Sequence, residues 1–488
     1  MAGIVSYGAY IPLYRISRAE FSRAWGGPAI PGETAVASYD EDSITMAMEA
    51  TTDCLKGIDP KSVDALFFAT TTSPYKERSG SSILAAALDL STELRTMDVT
   101  GTLRAGTTAI AAALDAINAN SARNVLVTVA DSRLGAPSGE FEQILGSGAA
   151  AVLLGKEDVI AEVQGNCFFS DEFSGVWRTD GDIFLRSWED RMVLDEGYSN
   201  FLPKAMASLM EKYGLSSDDF AKVVYDAPTN IRRHAQVAQQ LKVDPAKVQD
   251  PQFLTIGNTG AAMATMMLVA ALEDAKPGDK VLFASYGNGA DAFALQMTDL
   301  QRLAKRRAIK KHVESKRMLS NYETYLRWRG LIPLEAARRP EQAPTSISAL
   351  WRNRKEVLAL YGFRCLNCGT PQYINPSSSF STGVIPARIC AVCQAKDQFE
   401  PYRFADKKAT VFTFTQDNLA AVPDVPATVA VVDFDGGGRA VFDITDRDPA
   451  QLETGMRVEM TFRKLFSDRG IHNYYWKARP IRCQEEDG

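Results

Sequence analysis

The chain holds 488 residues, 45% hydrophobic, 23% charged and 9% aromatic, which is enough apolar material for several cores and excludes a disordered, collagen-like or mucin-like polymer. Lys and Arg number 54 against 60 Asp and Glu, a formal charge of -6, so no global basic field recruits nucleic acid and any phosphate binding must be local. Residues 1–10 lack a basic segment followed by an apolar one, and the most apolar helical stretch, 261–272, is too short for a bilayer; the expectation is a cytoplasmic protein with no membrane partner.

From residue 3 to about residue 300, short β-branched runs alternate with longer Ala-rich stretches, the pattern of an α/β architecture. In chain order the pattern predicts a helix at 42–56, a strand at 65–68, a helix at 107–118, a strand at 124–128, a helix at 198–213 and a strand at 222–225. Helices at 232–241 and 261–272 and a strand at 280–283 follow. The order repeats: the 65–68 strand returns 157 residues later at 222–225, and Val125-Leu126 returns 156 later at Val281-Leu282. The glycine-led helix start Ala105-Gly-Thr-Thr returns about 155 later at Gly257-Asn-Thr-Gly-Ala. We read a duplicated α/β domain with halves 1–165 and 166–300. Its equivalent loops, 69–75, 100–106, 226–230 and 257–260, should converge at strand carboxyl ends, where α/β sheets bind ligands.

Residues 302–317 carry eight Lys or Arg against one acid, Glu314. They read as a solvated linker helix, with a phosphate-binding rim as the functional alternative. With the Pro-bearing polar stretch 338–346 they form an extension and linker, 301–345. Beyond it, 346–400 reads as a helix and a zinc ribbon. Four of the seven cysteines form two pairs, Cys365-Leu-Asn-Cys368 and Cys390-Ala-Val-Cys393. Two residues between ligands aim both sulfurs at one ion, and four thiolates close a tetrahedral, structural zinc site. Cys54, Cys167 and Cys483 fall outside any pair and read as plain thiols. Short strands at 410–415, 427–433, 439–442, 457–462 and 473–477, separated by Gly-rich turns, predict a small OB barrel over 401–488. Such barrels can bind single strands through aromatics, but the consecutive Tyr474, Tyr475 and Trp476 read as core and no nucleic-acid partner is expected.

Trp177-Arg178 with its following Asp-rich segment, Gly257-Asn-Thr-Gly260, Ser285-Tyr-Gly-Asn-Gly289 and the 322–329 stretch together resemble the 3-hydroxy-3-methylglutaryl-CoA synthase family of the thiolase superfamily. Residues 350–488 resemble the zinc-ribbon/OB proteins that accompany thiolase-like enzymes, often as separate subunits and here fused. The resemblance implies a duplicated thiolase-type fold, a rubredoxin-like ribbon and an OB barrel. It also implies a homodimer, or a hetero-oligomer with a thiolase-like subunit, and coenzyme A thioester substrates whose carbon–carbon bonds are made or broken. In that family a Cys at a helix N-terminus is acylated, a Glu moves protons and a His polarises the second thioester.

Laid on those segments, this sequence has Leu103 for the Cys, Thr71 for the Glu and Asp226 for the His. Leucine forms no acyl-enzyme. The expectation is aldol or retro-aldol chemistry on a 3-hydroxyacyl-CoA, with Asp226 as base, Asn258 and the Gly287 and Gly289 amides at the thioester oxygen, and Tyr75 or Tyr286 as proton donor. Arg307, in the basic run, is set against the ligand's phosphates. The plain alternatives are a loop-capping Asp226, glycines serving a tight turn and a structural His234 on the 232–241 helix. Two further functions stay open: a non-catalytic or partner-dependent scaffolding subunit, and a condensing enzyme of the synthase kind.

Overall fold

The computed structural model describes residues 1–298, 306–335, 345–373 and 388–482. Arg302 and Lys305 of the basic run, nearly all of the 338–346 linker, and Cys483 lie outside the described residues. The chain forms two compact units, one of residues 1–37, 42–85 and 90–325, the other of 38–41, 86–89 and 326–488.

The first unit is built on a nine-stranded sheet: β1 (Gly3–Tyr10), β2 (Ala65–Ala69), β3 (Arg95–Val99), β4 (Val125–Ser132), β5 (Ser147–Gly155), β6 (Ala161–Ser170), β7 (Lys222–Tyr225), β8 (Lys280–Tyr286) and β9 (Gly289–Met297). Their order, β7-β8-β9-β6-β1-β5-β4-β2-β3, is two similar halves meeting where β1 pairs antiparallel with β6. In each half a parallel pair (β2 with β4, β7 with β8) is followed by an antiparallel return strand (β5, β9), which is the duplication expected from the 157-residue offset. β5 reads SGAAAVLLG and is buried throughout, because small side chains let helices cover both faces.

Five helices matter for the site: α1 (Ser43–Cys54), α2 (Ala105–Asn118), α3 (Ser199–Tyr213), α4 (Ile231–Gln240) and α5 (Met263–Leu272). Asp42 starts α1 with a capping box, its carboxylate accepting from the Ile44 and Thr45 amides. α5 is apolar on all sides and buried at every residue, as a helix enclosed by neighbours must be. At Gly106 in α2 an added Cβ would lie 3.1 Å from Thr265 Oγ1 of α5 and 3.3 Å from the Ala261 carbonyl, so the glycine sets how closely the equivalent helices approach.

The basic run differs from its expected solvated helix. Among its described residues only Lys310–Glu314 is helical, and Arg306 is buried, donating to the Lys56 carbonyl (2.6 Å) and Ser6 Oγ (2.9 Å). Backbone amides of Arg307 and Ala308 cap the Asp53 carboxylate at the C-terminal end of α1, and the Ile309 amide donates to Glu273 beyond α5. These backbone bonds hold the segment against the protein surface.

In the second unit, strands Tyr361–Cys365, Pro371–Gln372 and Phe399–Arg403 form a small sheet that carries one cysteine pair. Five strands, β10 (Lys408–Asp417), β11 (Ala427–Phe434), β12 (Arg439–Asp443), β13 (Arg457–Asp468) and β14 (Ile471–Pro480), follow in the order β12-β11-β10-β13-β14. A bridge between Ile444 and Ala478 brings the two ends together, as a small barrel requires. Tyr474, Tyr475 and Trp476 are all buried; the Trp476 indole donates to the Leu358 carbonyl at 2.7 Å, which uses its polar edge.

One side of this barrel encloses charge. Arg463, fully buried, pairs with Glu41 (2.6 Å), Asp446 (2.7 Å) and Asp40 (3.3 Å), and Lys477 pairs with Asp40 at 2.9 Å. Burial alone would raise the Asp40 carboxyl, but Lys477 and Arg463 outweigh it and hold Asp40 below the ordinary carboxylate range. Asp40→Asn is therefore expected to destabilise this unit by about 3–5 kcal/mol at neutral pH. A depressed folded pKa means the contribution is complete above the unfolded value of about 3.9 and is lost as pH falls through the folded one. Urea unfolding of both proteins between about pH 3 and 8 measures it, and a gap that fails to narrow in acid would contradict the assignment.

Candidate active site

α2 begins where β3 ends, and its first turn is anchored from β9: Arg104 Nη1 reaches Asp291 Oδ1 at 2.7 Å and Thr107 Oγ1 donates to Asp291 Oδ2 at 2.7 Å. Thr102 Oγ1 donates to the Gly287 carbonyl at 2.9 Å, tying the 100–103 loop to the β8–β9 turn. Leu103 projects between these ties into two adjoining cavities. An outer one of about 410 Å³ is lined by Thr71, residues 100–103, 172–178 and 286–288. An inner one of about 60 Å³ is lined by Leu145, Val193, Leu194, Tyr198, Asp226, Ala227 and Asn258. Leu103, Arg133, Gly175, Val176, Leu185 and Tyr286 line both.

Members of all four loops expected to converge therefore line these cavities, joined by residues 172–198 and by Arg133, which the sequence reading did not single out. Arg133 follows β4 and is 5% exposed; its Nη2 donates to Asn258 Oδ1. Burial lowers its pKa to about 10, with Asp131 opposing, so it stays a cation at neutral pH.

Asp226, at the end of β7, is buried. Its Oδ1 accepts from the Tyr286 amide at 2.9 Å, and the Tyr198 hydroxyl donates to its carbonyl at 2.8 Å. Burial pushes the carboxyl up to about 7 against the opposing pull of the Tyr286 amide and of Arg133. A carboxyl poised there can exchange a proton near neutrality. Burial also raises the Tyr286 phenol, which stays protonated.

The other expected site residues are placed differently. Thr71 gives its hydroxyl (2.7 Å) and its amide (2.7 Å) to Asp131, which also accepts from Thr70, Thr72 and the Ala261 amide, so Thr71 is no free acid or base. Asn258 lines the inner cavity, but its Nδ2 donates to the Ala227 carbonyl at 2.8 Å and its Oδ1 accepts from Arg133 and the Gly260 amide; it orients the loop and Arg133. The Gly287 amide donates to the Gly289 carbonyl at 2.9 Å and so is spent within the turn. Gly289, at φ +112, has the left-handed backbone that the tight turn needs.

Tyr75 lines neither cavity; its hydroxyl accepts from Arg78 at 2.7 Å. Arg307 sits at the C-terminal end of α1, while the N-terminal end faces the site, Ser43 Oγ donating to the Thr72 carbonyl. Twelve residues at about 1.5 Å each put roughly 18 Å between the two ends, and Arg307 lines neither cavity. His234 stacks on Tyr225 (centroids 4.2 Å), is lowered to about 4 by burial, and lines neither cavity.

In the second unit the sulfurs of Cys365, Cys368, Cys390 and Cys393 lie within 4.8 Å of one another, with Cys365 to Cys393 and Cys368 to Cys390 each 3.6 Å. A tetrahedron of ~2.3 Å metal–sulfur bonds has edges of about 3.8 Å, so the donor set fits one thiophilic ion with no position left for substrate.

Residues 402–463 match the family described as "ChsH2, C-terminal OB-fold domain", and residues 210–298 match the C-terminal region of 3-oxoacyl-[acyl-carrier-protein] synthase III. Among solved structures, a hydroxymethylglutaryl-CoA synthase complexed with CoA superposes with a TM-score of 0.61 at 19% identity, covering 71% of this chain and 94% of that one. The 3-oxoacyl-[acyl-carrier-protein] synthase III of Aquifex aeolicus gives 0.56 at 19% identity, covering 61% and 100%. These likenesses show a thiolase-type fold. The hydroxymethylglutaryl-CoA synthase of Caldivirga maquilingensis is 34% identical over 350 residues, 68% of this chain and 98% of that protein. That of Pyrococcus furiosus is 32% identical over 337 residues, 67% and 95%. With relatives of 30% identity or more aligned over nearly their whole length and about two thirds of this chain, the chain belongs to the hydroxymethylglutaryl-CoA synthase family.

Proposed function

We propose that this chain binds an acyl-CoA thioester at the paired cavities and makes or breaks the adjacent carbon–carbon bond by aldol chemistry, with the acyl group never leaving coenzyme A. The observation that carries this reading is the joint lining of the inner cavity by Asp226, a buried carboxyl near neutrality, and Leu103, the residue standing where the family acylates a Cys. In the cleaving direction Asp226 takes the proton of the 3-hydroxyl. The carbon–carbon electron pair moves into the thioester as an enolate while the hydroxyl carbon becomes a carbonyl, and Asp226 returns the proton to the α-carbon. The condensing direction is the same path reversed.

The relatives' names favour the condensing alternative over the cleaving reading, and both share this enolate step. The partner-dependent alternative draws its support from Leu103 and from Thr71, whose hydroxyl is committed to Asp131. Incubating the purified protein with 3-hydroxyacyl-CoA esters, and separately with acyl-CoA plus aldehydes or ketones, with mass spectrometry of the CoA products, separates these readings. Turnover without any other protein is expected, and its absence would favour a partner-dependent subunit. The homodimer expected from the family is read by light scattering in the same preparation, a single-chain mass overturning it.

Asp226→Asn is expected to lower kcat by about 10²–10⁴-fold while leaving thioester affinity little changed. Because the base must be ionised to take the hydroxyl proton, the wild-type cleavage rate is expected to fall as pH drops below about 7, following the raised carboxyl. A profile flat from about pH 5.5 to 8.5 would remove Asp226 from this role.

We further infer that the four cysteines hold zinc as a structural ion, supported by the sulfur spacing and the closed donor set. About one zinc per chain by elemental analysis is expected. Cys368→Ser is expected to lose it and to lower the unfolding temperature of the second unit; a metal-free protein of unchanged stability would contradict this.

A further inference from the structure

We propose that Arg133 is the catalytic group that holds the thioester oxygen while it gathers enolate charge, in place of the backbone amides of the β8–β9 turn. The proposal rests on the acyl-CoA reading above and assigns the electrophile of that site. Its first support is position. Arg133 lines both cavities together with Leu103 and Tyr286, so it stands at their junction, where a thioester extending from the outer cavity toward Asp226 must place its carbonyl.

The second support is the state of its guanidinium. Nη2 donates to Asn258 Oδ1, Nε is buried with no partner, and no carboxylate forms an ion pair with Arg133 among the described residues. Asp131, the carboxylate with the strongest pull on it, is saturated by hydroxyl and amide donors from residues 70–72 and Ala261. Asp131 and Asp226 act on the guanidinium through space without pairing to it, so its unpartnered Nε keeps donor capacity that an oxygen acquiring negative charge would use. Gly260, at φ +62, lets the backbone close on both groups: a Cβ there would come within 2.4 Å of Asp131 Oδ2, 2.6 Å of Nε and 3.1 Å of Cζ.

The third support is elimination. Of the donors assigned from sequence, the Gly287 amide is committed to the Gly289 carbonyl and Asn258 Nδ2 to the Ala227 carbonyl, and Gly289 lines neither cavity, while the Tyr286 amide serves Asp226. In the reaction the carbon–carbon pair becomes the enolate π bond and the thioester π pair moves onto oxygen, beside the guanidinium. When the α-carbon is reprotonated by Asp226 the charge returns and the carbonyl re-forms. The same chemistry run backwards on a simple acyl-CoA exchanges its α-hydrogens with solvent.

That exchange is the test. Wild type, Arg133→Met and Arg133→Lys are incubated with acetyl-CoA and with propionyl-CoA in D₂O near pD 8, and deuterium at the α-carbon is followed by mass spectrometry, with thioester affinity and unfolding temperature measured in parallel. Arg133→Met is expected to slow exchange by about 10²–10³-fold with affinity within about threefold of wild type. Arg133→Lys, which keeps a cation, should fall between. Met is expected to leave the unfolding temperature unchanged or higher, because it removes an unpaired buried charge while Asn258 Oδ1 keeps the Gly260 amide (3.0 Å). Exchange in Arg133→Met within about threefold of wild type would overturn the role of Arg133 and leave the acyl-CoA reading standing. Loss of affinity by the same factor as exchange would make Arg133 a binding residue and overturn its transition-state role. No exchange by wild type with either ester would overturn the acyl-CoA reading itself, and this inference with it.

Discussion

Everything in the first unit depends on a seam two residue pairs long. β1 meets β6 at Gly3 with Glu162 and at Ile4 with Ala161, and this joint merges the two halves into one sheet. The approach is so close that a Cβ on Gly3 would fall 2.2 Å from the Ala161 carbonyl. Because the halves are related across that joint, the starts of α2 and α5 and the carboxyl ends of β2, β4, β7 and β8 face one region. The cavities form there because the two halves deliver matching strand ends to one place.

What the family fold delivers to that region has been changed in kind. A thiol at the start of α2 would make and break covalent bonds to the acyl group; Leu103 leaves a wall in its place. On the reading proposed above, proton transfer falls to a carboxyl whose basicity comes from desolvation, and charge stabilisation to a guanidinium that no carboxylate ion-pairs among the described residues. Both are costly features for a folded protein, and both face the same small volume. Unfavourable burial of opposite charges around shared space marks a site organised for a ligand more clearly than either group alone.

The sequence made visible those features whose signal is local. The β-branched runs at 65–68 and 222–225, the Ala-rich helices, and the cysteine pairs carry their structure in spacing, and the 157-residue echo revealed the duplication. Strands β1, β5 and β9 were invisible because GIVSYGAY, SGAAAVLLG and GADAFALQM are rich in glycine and alanine, which suit close packing rather than strand propensity, and β6 because AEVQGNCFFS shows no regular apolar alternation. Arg133 escaped because a single arginine after a strand carries no pattern; only its enclosure distinguishes it. The course of the backbone at Arg307 was hidden for the complementary reason, since charge density along a run says nothing about which backbone amides will be claimed by Asp53 and Glu273. Donor availability at Asn258 and Gly287 is likewise a property of three-dimensional hydrogen bonding.

The charge enclosed by the barrel has a consequence for biogenesis. Arg463 and Lys477 find their carboxylate Asp40 more than 400 residues upstream, and Glu41 lies beside it. During synthesis these carboxylates emerge from the ribosome long before the strands that bury them, so the barrel strands close on counterions made more than 400 residues earlier. A fragment beginning at residue 326 would carry the whole barrel sequence and still lack the groups that neutralise its interior.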